Sequence, residues 1–308
     1  MLCSVLIEED QNFGENQHRF WGGMPAKNRS QKKLQKFATI LDTTVEALIS
    51  GYSSPVDNPY ALDSTQPQRD YKNIAIILAG GKSGRNRQNI PSQFINVHGK
   101  PIIVYCMDVY QAHPMVDEIY VVCLKGWENI IKAYASQYGI TKLRGIISGG
   151  NSGIISLNNA IELIRTKCSP QDLIIIQEST RPMITTEMIS RLIQSASEKG
   201  SATICHSMTD YVQFDISKST AKYIDRNALI ALQSPEAHRF SLLDEVFQKA
   251  KTQNHQLTES CCTMLLYNLG YKINFIESSI NNIKIVREED LSAFSALVNR
   301  DYNNSPNT

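Results

Sequence analysis

Between residues 71 and 300, short solid apolar runs alternate with longer amphipathic stretches. The runs at 74–78, 119–123, 145–147, 173–176 and 202–205 read as strands with no polar face. The stretches at 102–111, 127–138, 157–166 and 186–199 read as helices. Strands that are apolar on both faces must be covered on both faces, so this alternation predicts an α/β fold. Its sheet is expected to be mostly parallel, with helices on either side. In such sheets ligands bind beyond the carboxyl ends of the strands. The informative loops are therefore those after Leu78, Ile147, Ile176 and Cys205.

The first 70 residues have a different texture. Ser30 can cap a helix on which Leu34, Phe37, Ala38 and Leu41 share one face. Thr43 or Thr44 then caps a short second helix over 45–49, stopped by Gly51. Residues 1–51 are thus expected to be a small helical segment. Residues 52–70, with three prolines among small polar residues, read as a linker. A domain over 71–302 and a tail over 303–308 complete the expected division.

Lys and Arg total 31 against 30 Asp and Glu, a net charge of +1. That balance supplies no field for nucleic acid or an anionic membrane. No apolar run approaches the ~20 residues of a membrane-spanning helix. Met1 to Asp10 carries Glu8, Glu9 and Asp10 and no basic start, so no secretory signal is expected. The seven cysteines are an odd number without C-x-x-C spacing, and most stand in apolar surroundings. They are expected to be small buried hydrophobes in a reducing, cytoplasmic setting.

Three loops carry chemistry. Leu78-Ala79-Gly80-Gly81-Lys82-Ser83-Gly84-Arg85-Asn86-Arg87 follows the first strand. Its glycines let backbone N–H groups close on an anion, and Lys82, Arg85 and Arg87 supply charge. It fits neither the Walker pattern nor the G-x-G-x-x-G fingerprint. The second loop, Ser148-Gly149-Gly150-Asn151-Ser152-Gly153, opens a helix that carries Ser156. Ser156 could bond a sugar or phosphate, or the loop could be an ordinary helix start. In the third, Gln177-Glu178-Ser179-Thr180-Arg181-Pro182, an acidic residue ends a strand, where a phosphate-held divalent cation could meet it. Arg181 could hold an anion bidentately, or pair with Glu178. Farther on, Lys284 interrupts the strand-like run 282–286 and must point to water or to an anion.

Taken in order, these motifs resemble the 2-C-methyl-D-erythritol 4-phosphate cytidylyltransferases and their ribitol-5-phosphate relatives of teichoic-acid and capsule pathways. The series runs through Leu78-Ala79-Gly80-Gly81 with Arg85, Pro91-Ser92-Gln93-Phe94, and Gly99-Lys100-Pro101-Ile102-Ile103. It continues through Gly149-Gly150 with Ser156, Arg181-Pro182, Asp225-Arg226, Thr258 and Asn282-Ile283-Lys284. The resemblance covers residues 71–300. It implies a Rossmann-like nucleotidyltransferase fold and transfer of CMP from CTP to a sugar-alcohol phosphate, with release of pyrophosphate. Gly99 to Ile103, the Trp127 segment and 139–142 are nearer the ribitol-phosphate branch, with methylerythritol phosphate next.

By position, the resemblance implies that Leu78, Ala79, Gly80 and Gly81 hold the nucleotide with Gly150, Ser156 and Ser179. Arg85 and Lys284 would stabilise the α-phosphate as catalytic residues. Glu178 would face Mg²⁺. Arg181, Arg226, Thr258 and Lys284 would hold the substrate phosphate, Arg226 across a homodimer interface, and Glu259 would belong to the substrate-binding set. Three positions depart from the pattern. Ser92 stands where the family has a catalytic lysine, and Glu178 and Glu259 stand for Asp. Loss of one preorganised cation costs ~2.7–4 kcal/mol by analogy with oxyanion donors. The alternative reading is therefore a weak or inactive nucleotide-binding homologue with a regulatory role. Phe20-Trp21-Gly22 and 33–51 also resemble the last two helices of repressor-type helix-turn-helix domains. The helices that would recognise DNA are missing or unrecognisable, so nucleic acid is not the expected partner.

Overall fold

The computed structural model describes residues 69–81, 90–208, 213–215 and 222–304. The expected helices of 1–51, the helix-turn-helix resemblance and most of the 52–70 linker lie outside the described residues, as does Arg85.

The strands are β1 (Asn73–Ala79), β2 (Asn96–Val97), β3 (Lys100–Pro101), β4 (Glu118–Cys123), β5 (Leu143–Ser148), β6 (Leu173–Glu178), β7 (Ser201–Ser207), β8 (Gln213–Asp215), β9 (Lys222–Ile224), β10 (Ile230–Arg239) and β11 (Phe275–Glu277). The helices are α1 (Ile102–Ala112), α2 (Glu128–Gln137), α3 (Gly153–Ile164), α4 (Thr186–Lys199), α5 (Phe240–Thr252), α6 (Cys262–Asn268) and α7 (Glu288–Asn304). Seven strands form one sheet in the order β11-β7-β10-β6-β1-β4-β5. Only β10 runs against the others. This is a Rossmann-like arrangement, a mostly parallel sheet with a core on each face.

Side chains of β1 alternate between two cores. Ala75 and Ile77 join Val104, Met107, Ile189 and Leu192 on one face. Ile74 and Ile76 join Leu157, Ile161, Leu243 and Leu265 on the other. A strand that feeds both cores has no solvent-facing side, which is why its sequence is solidly apolar. The chain leaves β1 toward β4 and β5, then crosses to β6 on the opposite side. That reversal leaves a crevice above the carboxyl ends of β1 and β6.

One expectation is corrected. Residues 282–286 alternate like a strand, yet they pair with no strand. Ile285 is buried in a third core with Phe294 and Val298 of α7. Its N–H donates to Thr180 O at 2.8 Å, so a loop takes the bond that a strand would take. The cysteines follow expectation where described. Cys106, Cys123, Cys205 and Cys262 are buried, Cys168 and Cys261 partly so, and none is in a disulfide.

Candidate active site

The crevice holds a cavity of about 670 Å³. One wall is the pair of glycine turns. An ideal Cβ on Gly149 would lie 3.4 Å from the α-carbon of Gly80 and 3.2 Å from Cys123 O. The turns after β1 and β5 therefore meet backbone to backbone. A Cβ on Gly150 would lie 2.3 Å from Ile155 Cγ2. The closeness lets Gly150 N–H donate to Ser156 Oγ at 2.9 Å. Ser152 caps α3, its hydroxyl accepting from Ile155 N–H at 3.3 Å. The loop is thus both a helix start and a cavity wall. Buried Gln93 fastens the first turn, donating from Nε2 to Ala79 O at 2.7 Å and Gly81 O at 3.1 Å.

The facing wall is charged. Glu178 ends β6. Its Oε2 accepts from Arg181 Nε at 2.8 Å, and its Oε1 accepts from Lys284 Nζ. Arg181 also donates from Nη1 to Asn282 O at 2.9 Å, tying the irregular segment to the β6 loop. Asn282 is buried and donates from Nδ2 to Ser234 O at 2.8 Å. Beneath the loop, Tyr110 donates to Gln177 Oε1 at 3.0 Å, and Gln177 Nε2 donates to Glu178 O at 2.8 Å. The Cys106 thiol donates to Ser179 O at 3.4 Å. Burial pushes both the Cys106 thiol and the Tyr110 phenol up, so both stay protonated donors. Glu178 and Arg181 pair with each other, as one reading of their motif has it, and both line the cavity.

Of the residues expected from sequence, Leu78, Gly80, Gly81, Gly150 and Ser156 line the glycine side of this cavity. Glu178, Ser179, Arg181 and Lys284 line the charged side. Ala79 is buried behind the wall and offers its carbonyl to Gln93. Ser92 is buried in the short turn Ser92–Phe94 and does not line the cavity, whereas its neighbour Gln93 does. Arg226 is exposed in the turn Arg226–Ala228 after β9, and Thr258 is exposed, both away from the lining. Glu259 also stands apart, its Oε1 bonded to His255 Nε2 at 2.5 Å and Asn268 Nδ2 at 3.1 Å. Burial pushes the Glu259 carboxyl up, but these bonds outweigh it and hold it below the usual range.

Sequence reasoning passed over Gln93, Thr180, Ser234 and Glu236, all of which line the cavity. Gln93 and Thr180 stand within the quoted motifs without a role of their own, and Ser234 and Glu236 were marked only by polarity within β10. No group of three His, Cys, Asp or Glu among the described residues could hold a metal alone. No helix among them is long and apolar enough to cross a membrane.

Comparison with known proteins points the same way. Residues 73–300 match the family described as IspD, 2-C-methyl-D-erythritol 4-phosphate cytidylyltransferase. The chain is similar to a ribitol-5-phosphate cytidylyltransferase of Lacticaseibacillus paracasei, 34% identical over 226 residues, covering 73% of this chain and 97% of that one. It is similar to a 2-C-methyl-D-erythritol 4-phosphate cytidylyltransferase of Clostridium botulinum, 30% identical over 223 residues, covering 71% and 94%. Among solved structures, the 4-diphosphocytidyl-2C-methyl-D-erythritol synthase of Anaerococcus prevotii superposes with a TM-score of 0.64 at 20% identity, covering 75% and 99%.

Proposed function

The chain belongs to the 2-C-methyl-D-erythritol 4-phosphate cytidylyltransferase family, and from this we infer that it transfers CMP from CTP to a sugar-alcohol phosphate. An oxygen of the alditol phosphate attacks the α-phosphorus of CTP. The bond from that phosphorus to the bridging oxygen breaks, and pyrophosphate leaves with the electron pair. The products are a CDP-alditol and pyrophosphate. The observation that carries this reading is one cavity with glycine turns on one side and Glu178, Arg181 and Lys284 on the other. Ribitol 5-phosphate is the first candidate acceptor and methylerythritol 4-phosphate the second, an order supported by the relatives just described.

The protein's own part is positioning and charge. Leu78, Gly80, Gly81, Gly150, Ser156 and Ser179 would seat the nucleotide, with Ala79 fixed behind them by Gln93. Lys284 would swing from Glu178 to the α-phosphate, where negative charge builds, and Arg85 would join it. Arg181 would hold the acceptor phosphate, joined by Arg226 and Thr258 as the family resemblance implies. Arg226 would act from the second subunit of a homodimer.

Glu178 fits Mg²⁺ held by one carboxylate and the substrate phosphates, the usual way such an ion is bound. When bound, the ion would neutralise phosphate charge and ease pyrophosphate departure. A cytoplasmic location belongs to the same proposal, supported by six described cysteines with no disulfide among them.

The test is pyrophosphate release from CTP and Mg²⁺ with ribitol 5-phosphate, methylerythritol 4-phosphate or glycerol 3-phosphate. Release with ribitol 5-phosphate above the other two is expected. Release with none of them would refute the assignment.

A further inference from the structure

Glu236 lies on β10, with 5% of its surface exposed, at a point where it lines the nucleotide cavity. Both of its carboxylate oxygens are engaged by the chain itself. Oε1 accepts from Cys262 N–H at 3.1 Å, and Oε2 accepts from Thr263 N–H at 2.7 Å and from the Thr263 hydroxyl. The Thr203 and Thr263 hydroxyls are 2.6 Å apart, so the chain of donors runs on into β7. His238 Nε2 stands 3.5 Å from the same carboxylate. These are the first amides of α6, whose own N-cap, Cys261, offers no side-chain bond. Helix-start amides lack partners within their helix, and here a carboxylate from another strand supplies them. The segment so held is part of the site, because Ser260, Cys261, Cys262 and Met264 all line the cavity. Ser260 O lies 3.9 Å from where a Cβ on Gly153 would stand, at the start of α3 beside the Gly150 turn.

We propose that Glu236 is a positioning residue, a clamp that sets the 260–264 wall against the nucleotide side of the cavity. The clamp acts on CTP through that wall, so its consequence rests on the function proposed above. Burial raises the carboxyl, and His238 and Thr263 more than offset this, leaving it ionised and able to accept from every donor.

Three variants test this in the full chain. Glu236→Gln keeps the shape but turns an N–H₂ toward one amide donor. Thr263→Val removes the hydroxyl at nearly constant volume, and Thr263→Ser keeps it. Amide exchange at Cys262 and Thr263 reads the clamp without any ligand. Calorimetric titration with CTP reads its consequence. Glu236→Gln and Thr263→Val are expected to speed exchange at those two amides and to weaken CTP binding about tenfold, the scale of one charge-assisted bond. The KM for the acceptor phosphate should change less than twofold, and Thr263→Ser should match the wild type. Unchanged exchange, unchanged CTP affinity, or an equal loss for both substrates would each overturn the clamp. A wild-type protein that binds CTP but releases no pyrophosphate would instead refute the proposed reaction, with the binding and exchange readouts still deciding the clamp.

Discussion

Gly150→Ala probes whether the second glycine turn has to close on α3. The added methyl would sit 2.3 Å from Ile155 Cγ2, 3.0 Å from its Cβ and 3.3 Å from its carbonyl carbon. Carbon atoms rest at about 3.5–4.0 Å, so the turn would have to retreat by about 1.2 Å or more. Ile155 cannot swing aside cheaply, because a β-branched side chain on a helix has one strongly preferred rotamer. The retreat would pull Gly150 N–H off Ser156 Oγ, now at 2.9 Å. Overpacking of this kind costs about 1–3 kcal/mol. If that strain falls on the nucleotide-competent form of the turn, CTP affinity drops about 5–150-fold. Calorimetric titration with CTP measures it. Ile155→Ala deletes the clashing atom, so Gly150→Ala should cost far less in that background. Gly150→Ala with wild-type affinity would refute the reasoning, as would a penalty that Ile155→Ala leaves untouched.

Lys284→Ala should lower kcat by about 10²–10³, the loss seen when one preorganised donor to a developing charge is removed; pre-steady-state pyrophosphate release checks it, and a near-normal kcat would remove Lys284 from the chemistry. Glu178→Gln leaves Arg181 and Lys284 without their shared partner, so without Mg²⁺ inorganic pyrophosphate should bind more tightly, while turnover with Mg²⁺ falls. Weaker pyrophosphate binding would contradict that charge balance. Asn282→Ala removes the bond to Ser234 O and should cost about 1–3 kcal/mol in urea unfolding, with kcat reduced because Lys284 loses its anchor. His113 is held below its ordinary value of 6.5 by burial first, and then by Lys142 and Arg69, against a raising bond to Thr186 O. The unfolded chain therefore binds the proton more readily, so this stability is full above pH 6.5 and declines as pH falls below it toward the lowered folded value. The wild-type urea midpoint should drop more than that of His113→Asn between pH 7.5 and 5; parallel drops would exclude His113.

The central strands were legible because burial on both faces leaves little choice of residue. Residues 74–78 and 119–123 sit inside strands that extend one residue beyond them at one or both ends. The antiparallel strand β10 was not legible. Its middle reads Gln233-Ser234-Pro235-Glu236, and a proline among polar residues argues against an internal strand. The structure accommodates it with a register shift between Leu232 and Glu236 along β7. Ser234 and Glu236 are buried against partners distant in sequence. Residues 282–286 failed in the opposite sense. Alternation of Ile283 and Ile285 about Lys284 reports one buried face, and a loop packed on α7 buries a face as well as a sheet does.

The same distinction separates what was readable in the site from what was not. Glycine turns, a carboxylate at a strand end and isolated cations are unusual where they stand, so they announce themselves singly. Glu178, Arg181 and Lys284 could be picked out, yet only the fold puts Lys284 and Glu178 together across 106 positions. Gln93 and Glu236 do the reverse. Each looks like an ordinary polar residue, and its importance lies in the backbone groups it meets, 12 to 14 residues away for Gln93 and 26 to 27 for Glu236. A family pattern carries residue types forward, but it does not carry their surroundings. Ser92 illustrates this. Its motif suggests a cation at the phosphates, whereas the structure encloses the position and turns the next residue, Gln93, into the cavity wall. Gln93 fastens the first glycine turn and Glu236 fastens the start of α6, so loss of either should weaken CTP binding through the wall segment it holds.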